Sequence, residues 1–132
     1  TYGHNNRSAQ FRLPQNRYCI ENRAADMTMN VYLALAMTLS AAMDGIKNKI
    51  DPGKPTDQDL YQMTEDQFKK LEIKRLPKNL LQAIEALKNN KLSDEVLGSV
   101  MKKSFISYKN DEWERYHQAV TDWEVKEYLR LY

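Results

Sequence analysis

The sequence predicts a mainly α-helical fold with a short antiparallel β-hairpin at the N-terminus, which is an α+β architecture. Two strand-like segments, residues 8–14 and 18–24, predict the hairpin. A long apolar run after Asn30 predicts one helix, and several capped amphipathic stretches after residue 60 predict others. The β element therefore comes first, and a helical region follows it.

The hairpin is predicted from its two strand-like segments and from the turn between them. In residues 8–14, successive side chains alternate between polar and apolar, which is typical of a strand with one buried face, and we expect residues 18–24 to form its partner strand. The segments are separated by Pro14, Gln15 and Asn16, and proline and asparagine favour turns. Such a short connection predicts that the two strands are antiparallel neighbours.

The first helix is predicted from Val31 to Lys49, with Asn30 as its N-cap. Its first turns are apolar on all sides, so we expect this helix to be buried in a protein interior. The apolar stretch is too short to span a bilayer, so no membrane role is expected. The run Asp51-Pro52-Gly53 ends the helix.

The later helices are predicted from caps and apolar stripes. Thr64 with Gln67, and Thr121 with Glu124, have the spacing of capping boxes. Asn79 is expected to cap a third helix, and Ser93 is expected to begin a fourth. Apolar stripes at helical spacing predict which side chains of these two helices face inward: Leu80, Leu81, Ile84 and Leu87 in one, and Val96, Leu97, Val100, Met101 and Phe105 in the other.

Length and composition exclude several classes of function. The 132 residues suit a single domain, in which residues 1–26 supply strands with the polar site and residues 30–132 form the helical region. A net charge of +2 gives no general attraction to nucleic acid, so none is expected as a partner. Cys19 is the only cysteine, which favours a reducing, cytoplasmic location and rules out an intrachain disulfide.

The chain begins at Thr1 without an initiator methionine, and we expect it to be a fragment of a larger protein. The predicted hairpin supports that expectation, because an isolated two-stranded hairpin is at best marginally stable in water. The rest of the same domain is therefore an expected partner.

Arginines and one glutamate are concentrated in the predicted hairpin. Glu21 and Arg23 share a face of their strand, whereas Arg7 and Arg12 share one only if a bulge intervenes or if Arg7 lies in a loop. A cross-strand salt bridge is the simpler interpretation of such a group. The functional interpretation is that the arginines hold phosphate and Glu21 ligates a divalent cation, because guanidinium groups bind phosphate oxygens in bidentate fashion.

Several sequence blocks together resemble the C-terminal part of the catalytic domain of a glutamine synthetase. They are Asn6-Arg7-Ser8-Ala9, Arg12-Leu13-Pro14, Ile20-Glu21-x-Arg23, Asn30-x-Tyr32-Leu33 and the run from Met43 to Gly53, with later blocks at Leu76-Pro77 and from Trp113 to Arg115. Their order and spacing agree with the family along essentially the whole chain. The ending Val120-Thr121-Asp122-Trp123-Glu124 is more similar to subgroups that join glutamate to amines or polyamines.

The resemblance implies specific roles for the residues of the hairpin. Arg7 would contact the transferred phosphate and the substrate glutamate, and Arg12 would contact the nucleotide phosphates. Glu21 would ligate a catalytic Mg²⁺ or Mn²⁺, and Arg23 would bind the γ-glutamyl phosphate intermediate. A basic residue that the family usually has two positions before the glutamate is Cys19 here, and Arg17 is the expected substitute as an ATP contact.

The implied activity is glutamine biosynthesis, a step of nitrogen metabolism, in which ATP activates L-glutamate for attack by ammonia or another amine. The implied assembly is a ring oligomer with active sites between subunits. Further metal ligands and the adenine pocket would lie elsewhere in a full-length enzyme, so this segment alone is expected to be inactive. The alternatives are a γ-glutamyl–amine or polyamine ligase of the same family and a non-catalytic helical interaction domain.

Tyr61, His4 and His117 are the other residues with reactive side chains considered for a site. Tyr61 lies where some bacterial glutamine synthetases carry an adenylylated tyrosine, although Gln62-Met63-Thr64 departs from that pattern and ordinary loop packing is the alternative. His4 and His117 are isolated in the sequence, and neither predicts a metal site.

Overall fold

The computed structural model describes residues 1–131, and Tyr132 lies outside the described residues. The chain divides into two compact units, Thr1–Leu76 and a second that starts at Pro77. The elements, in chain order, are β1 (Tyr2–His4), β2 (Phe11–Leu13), β3 (Glu21–Asn22), α1 (Val31–Lys47), α2 (Glu65–Lys70), α3 (Leu80–Lys88), α4 (Lys91–Gln118) and α5 (Asp122–Tyr128). The mainly helical fold with a small N-terminal β element is confirmed.

The sheet of the first unit has the order β1-β2-β3. Strands β2 and β3 are antiparallel, which confirms the predicted hairpin, and Arg12 lies opposite Glu21. Both strands are shorter than predicted, since the residues that flank them form turns. Strand β1 pairs in parallel with β2 and was not predicted, because three residues are too few to show a periodicity.

Helix α1 begins where the sequence predicts and ends two residues earlier than the predicted Lys49. The Asn30 side chain accepts hydrogen bonds from the backbone N–H groups of Tyr32 and Leu33, at 3.1 and 3.2 Å, which confirms the N-cap. The prediction that this helix is buried is wrong for the described residues, because none of its side chains is buried and no other helix or strand packs on it.

Two short helical segments complete the first unit. A 3₁₀ turn spans Leu60–Gln62, and α2 follows it. The Thr64 capping box is confirmed in both directions: the Gln67 side chain accepts from the Thr64 N–H at 2.7 Å, and the Thr64 hydroxyl accepts from the Gln67 N–H at 3.4 Å.

The second unit is built on the packing of α3 against α4. Asn79 caps α3 as predicted, with its side chain 2.9 Å from the backbone N–H of Gln82. The prediction that Ser93 begins the next helix is wrong. Asn90 caps α4 instead, and Ser93 is fully buried, with its hydroxyl donating to the carbonyls of Leu87 and Asn90.

Helix α4 is interrupted at Gly98, which has a φ of 69° and a ψ of 164°. Such a backbone is readily adopted only by glycine, so the helix changes direction there. The interruption shifts the face that α4 presents, and the expected inward positions Val100 and Met101 are 78% and 50% exposed. Ile84 of α3 is buried as predicted.

The Thr121 capping box at the start of α5 is confirmed, since Glu124 accepts from the Thr121 N–H at 2.8 Å. Within residues 1–131, no helix is both long and apolar enough to cross a membrane.

Candidate functional site

The Glu21 carboxylate lies between two guanidinium groups. Arg12 is directly opposite it across the β2–β3 ladder, and the Arg12 Nη1 donates to the Glu21 Oε2 at 2.8 Å. Arg17, in the loop between the strands, donates to the other carboxylate oxygen. The Arg12 and Glu21 side chains are only 17% and 25% exposed, so this pair is shielded from bulk water.

These contacts determine the protonation state of the cluster. The hydrogen bond from Arg12, followed by the one from Arg17, holds the pKa of Glu21 below its ordinary value of 4.5. The same hydrogen bond with Glu21 raises the pKa of Arg17. At neutral pH the cluster therefore has two cations around one carboxylate, and the excess positive charge favours an anionic ligand.

Arg12 keeps one donor without a partner. Its Nη2 donates to the Asn5 side chain at 3.2 Å, and Asn5 has a positive φ of 52° that places this amide beside the sheet. The Arg12 Nε is buried and has no hydrogen-bond partner among residues 1–131. A buried N–H group without an acceptor is costly, so this atom favours a ligand oxygen.

Arg7 and Arg23 are joined through the backbone. Arg7 lies in the loop between β1 and β2, so the loop arrangement considered for it is the one observed. The Arg23 Nε donates to the Arg7 carbonyl at 2.8 Å, and the Arg23 N–H donates to the Gln10 carbonyl at 2.8 Å. In the described part of the chain, the Arg7 guanidinium makes no hydrogen bond or ion pair.

The structure thus brings Arg12, Arg17 and Glu21 into direct contact and ties Arg23 to the backbone of Arg7. Glu21 does not pair with Arg23, its neighbour on the same strand. The simpler interpretation, a cross-strand salt bridge, is correct for Arg12 and Glu21. That interpretation does not explain the second guanidinium, from Arg17, or the unpaired Nε of Arg12, because a cross-strand salt bridge requires neither.

The arginine cluster supplies one carboxylate, which by itself is not a complete cation site. No group of three or more His, Cys, Asp or Glu side chains within residues 1–131 is arranged to hold a metal ion. Both oxygens of Glu21 already accept from arginines. Glu21 can therefore ligate a cation only if one arginine releases an oxygen and other ligands come from elsewhere.

Tyr61 and the two histidines lie outside this cluster. Tyr61 is on the 3₁₀ turn, and its side chain is 80% exposed. His4 is not isolated, because its Nδ1 lies 3.3 Å from the Asp57 carboxylate, whose pKa is lowered chiefly by the His4 backbone N–H. His117 stacks on Trp113, with ring centroids 3.7 Å apart.

Sequence reasoning missed the asparagines on the N-terminal side of Arg7. Asn5 holds Arg12, and Asn6 is a buried polar residue that binds the neighbouring Ser8. The available signal was the spacing of Asn6 and Ser8, which is that of an Asx turn.

Comparisons with known proteins place this arrangement in a family. The family model described as "Glutamine synthetase, catalytic domain" matches residues 1–128. A glutamine synthetase of Methanococcus maripaludis is 39% identical over 133 residues, a match that covers 98% of this chain and 30% of that protein. A glutamate–methylamine ligase of Methyloversatilis universalis is 40% identical and matches 99% of this chain and 29% of its own length.

A solved structure has the same fold over this segment. The chain described as "GmaS/ADP complex-Conformation 1" superposes with a TM-score of 0.84 at 35% sequence identity, and the match covers 98% of this chain and 29% of that one. The present chain therefore spans about 30% of the length of the relatives it matches. The catalytic-domain model covers all but the last four residues, and the arginine–glutamate blocks lie within that match, so the chain belongs to the glutamine synthetase family.

Proposed function

We propose that this chain is the C-terminal segment of an ATP-dependent glutamate–ammonia ligase, to which it contributes phosphate-binding arginines and one metal-binding glutamate. One observation carries the proposal: within a match to the family's catalytic domain, Glu21 is held between two arginines, one of which keeps an unpaired buried N–H. A purely structural ion pair does not require that surplus of donors.

The residues present fit the phosphates of a nucleotide. The Arg12 Nε and the guanidinium of Arg7 are donors without acceptors in the described part of the chain, and phosphate oxygens are strong acceptors. Arg12 and Arg17 give the hairpin one net positive charge around Glu21. We assign Arg12 and Arg17 to the phosphates of ATP, and Arg7 and Arg23 to the phosphoryl group as it is transferred.

In the arginine cluster, the chain supplies one ligand for a divalent cation. We assign that ligand to Glu21 and expect the remaining ligands to come from other parts of the full-length ligase. A bound Mg²⁺ or Mn²⁺ would neutralise charge on the phosphate oxygens. Glu21 would then hold the cation with the oxygen that now accepts from Arg17, and it would keep its contact with Arg12.

The proposed reaction transfers the terminal phosphoryl group of ATP to the side-chain carboxylate of L-glutamate. Ammonia then attacks that carbonyl carbon, and the amide forms as the attacking nitrogen loses a proton and inorganic phosphate leaves. Negative charge is spread over the phosphoryl oxygens during both steps, and fixed guanidinium groups stabilise it without reorganising. Arg7 and Arg23, joined through a backbone hydrogen bond, supply two such groups from different segments.

A second candidate function uses another amine as the acceptor. It is favoured by the 40% identity to a glutamate–methylamine ligase and by the TM-score of 0.84 to the GmaS structure. The chemistry on the arginine side is unchanged, because only the nucleophile differs. Methylamine, or a larger amine such as a polyamine, is therefore the alternative acceptor within the same mechanism.

A non-catalytic helical interaction domain is the third candidate. An interaction domain would not require a buried Arg12 N–H without an acceptor, and it would not require a carboxylate bound by two arginines. We therefore favour the ligase.

The proposed partners are the rest of the catalytic domain and neighbouring subunits of a ring oligomer. The exposed apolar side chains of α1 support this, since such a surface needs a cover. The segment alone is then inactive. A cytoplasmic location is also proposed, with the exposed free thiol of Cys19 in its support.

The test is glutamate-dependent phosphate release by the full-length protein with Mg²⁺ and ATP, using ammonia and methylamine in parallel. Release with ammonia supports the first proposal, and release with methylamine alone supports the second. No release with either amine or with a polyamine, from protein that is folded and binds ATP, would remove the ligase proposal. The isolated chain serves as the control and is expected to release none.

A further inference from the structure

Asn6, the residue before Arg7, is polar and yet only 9% exposed. Its Nδ2 donates to the carbonyls of Thr56 and Gln58, at 2.6 and 2.8 Å. Its Oδ1 accepts from the backbone N–H and from the hydroxyl of Ser8, at 2.9 and 2.6 Å. These contacts use both donors and both lone pairs of the amide.

Ser8, the residue after Arg7, continues the same network. Its hydroxyl donates to Asn6 and accepts from the backbone N–H of Leu60 at 2.8 Å. The residues on both sides of Arg7 are therefore bonded to residues 56–60, which lie about fifty positions further along the chain. We call residues 56–60 the latch segment.

The latch segment fits closely against β1. The Thr56 N–H donates to the Tyr2 carbonyl at 2.8 Å, and the His4 N–H donates to the Asp57 carboxylate at 2.6 Å. At Gly3 a Cβ atom would lie 2.3 Å from the Thr56 carbonyl oxygen and 2.7 Å from the Asn6 Cβ. Only glycine leaves room for this approach, so the latch segment and the Arg7 loop are packed as one piece.

The contrast between the Arg7 backbone and its side chain carries the inference. The backbone is held by Asn6 on one side, by Ser8 on the other, and by the Arg23 Nε at its own carbonyl. The side chain is exposed, and its guanidinium has no partner in the part of the chain that the structure describes. The fixed backbone limits where the guanidinium can reach, and its unpaired N–H groups are available to a ligand.

We propose that Asn6 and Ser8 are positioning residues, which anchor the loop to the latch segment so that Arg7 presents its guanidinium to the phosphoryl group. The proposal rests on the proposed function and extends it to two residues that touch no substrate. The latch segment leads directly into the 3₁₀ turn with Tyr61, so that turn is part of the support of Arg7.

The kinetic test uses Ser8→Ala and Asn6→Ala in the full-length ligase, with phosphate release as the readout. Each change is expected to lower kcat by about 10- to 100-fold, since a small misplacement of a contact to the reacting group has effects of that order. The KM for the amine should stay unchanged. Ser8→Thr keeps the hydroxyl and is expected to retain most of kcat.

A double variant distinguishes positioning from general weakening of the fold. If Ser8 acts through Arg7, Ser8→Ala lowers kcat by less than about 2-fold in an Arg7→Ala background, because coupled residues are not additive. Equal losses of kcat in both backgrounds would overturn the proposal. Asn48→Ala, which removes an amide bound to Asp44 at 2.7 Å at the end of α1, is the matched control and should leave kcat unchanged.

Hydrogen exchange gives a readout that does not depend on activity. Ser8→Ala should speed exchange in peptides that cover residues 5–9 and 56–61, while peptides from α3 keep their protection. Unchanged exchange in both regions contradicts the anchoring, even if the ligase is active. An inactive parent protein instead removes the proposed function, and the positioning role with it.

Discussion

At the scale of single residues, Glu21 is shared by two arginines that occupy different structural contexts. Arg12 is fixed on a strand and largely shielded, whereas Arg17 lies in a loop and its side chain is 62% exposed. The exposed arginine is the one with freedom to leave. A ligand that takes an oxygen of Glu21 therefore displaces Arg17 at lower cost than Arg12.

Replacement of Arg12 by lysine tests the shielded pair. A lysine has one terminal nitrogen, so it cannot bind Glu21 and Asn5 with the geometry of the two Nη atoms of Arg12. It also has no equivalent of the unpaired Nε. In the full-length protein, if it is the proposed ligase, Arg12→Lys is expected to raise the KM for ATP by about 10-fold. Arg75→Lys, which alters an arginine 2.8 Å from Glu65, is the control and should leave that KM unchanged. Equal KM values for the two variants would remove Arg12 from the nucleotide site.

The cluster also predicts a pH dependence. Because the arginines lower the pKa of folded Glu21 below 4.5, the stabilisation it provides is complete above that pH and is lost as the pH falls through the lowered pKa. We expect the ¹³C chemical shift of the Glu21 carboxyl to titrate with a midpoint below 4.5. In Arg12→Lys that midpoint should move upward. A midpoint at or above 4.5 in the unsubstituted protein would contradict the geometry.

Part of the arginine–glutamate cluster could be predicted from the sequence. The blocks around Arg12 and Glu21 identified both residues, and hairpin pairing places them opposite each other. The bond from Arg17 to Glu21 depends on the path of the loop, and the burial of Asn6 depends on a segment fifty residues away. Neither feature has a local pattern from which it could be predicted.

At the scale of secondary-structure elements, Lys102 joins α3 to α4. Its side chain is 7% exposed, and its Nζ donates to the carbonyls of Lys88 and Asn90 and to the Asp94 carboxylate, at 3.0, 3.1 and 2.8 Å. The Lys88 carbonyl is at the C-terminal end of α3, where carbonyls lack helical partners, and the Asn90 carbonyl belongs to the N-cap of α4. The Lys102 ammonium group thus links the end of α3 to the start of α4, a junction that we call the α3–α4 corner.

Lys102→Met is expected to destabilise the second unit by about 1–3 kcal/mol, because it removes the ammonium donor to the Lys88 carbonyl and one of the donors to the Asn90 carbonyl. Lys103→Met changes the exposed neighbour and should alter stability by less than about 0.5 kcal/mol. Hydrogen exchange of the last turn of α3 measures the difference. Equal protection in the two variants would show that Lys102 does not hold the corner.

Helix starts were the elements that the sequence predicted best. Asn30, Thr64, Asn79 and Thr121 all cap helices as expected, because a cap and its partner lie within three residues of each other. The exception is α4, where Ser93 competes with Asn90 as a polar residue near the start. Asn90 caps the helix, and the serine hydroxyl is directed into the α3–α4 corner.

Across the described residues, helix α1 exposes a row of large apolar side chains. Val31, Leu35, Leu39 and Met43 are each more than half exposed, although the sequence predicted a buried helix. Periodicity shows that a helix is apolar but not what covers it. The chain spans about 30% of the length of its relatives. We expect the other parts of such a full-length protein to pack on this face of α1.

This surface predicts self-association of the 132-residue chain. Sedimentation velocity should show a weight-average mass that rises with concentration, because exposed apolar patches associate in water. Leu35→Glu places a charge on the patch and should reduce that rise. Thr38→Glu adds the same charge on the same helix without removing an apolar side chain, and it should have a smaller effect. A chain that stays monomeric at all concentrations would show that this surface is stable in water.

In the proposed function, this hairpin forms one side of a site that binds nucleotide, metal ion and glutamate. The most direct test of that role is the Mg²⁺ dependence of phosphate release by the full-length ligase with Glu21→Gln, with Glu65→Gln as the control from another arginine pair. We predict that Glu21→Gln raises the Mg²⁺ concentration for half-maximal rate by at least about 10-fold, and that Glu65→Gln leaves it unchanged. A Glu21→Gln enzyme with the Mg²⁺ dependence of the unsubstituted protein would contradict that role.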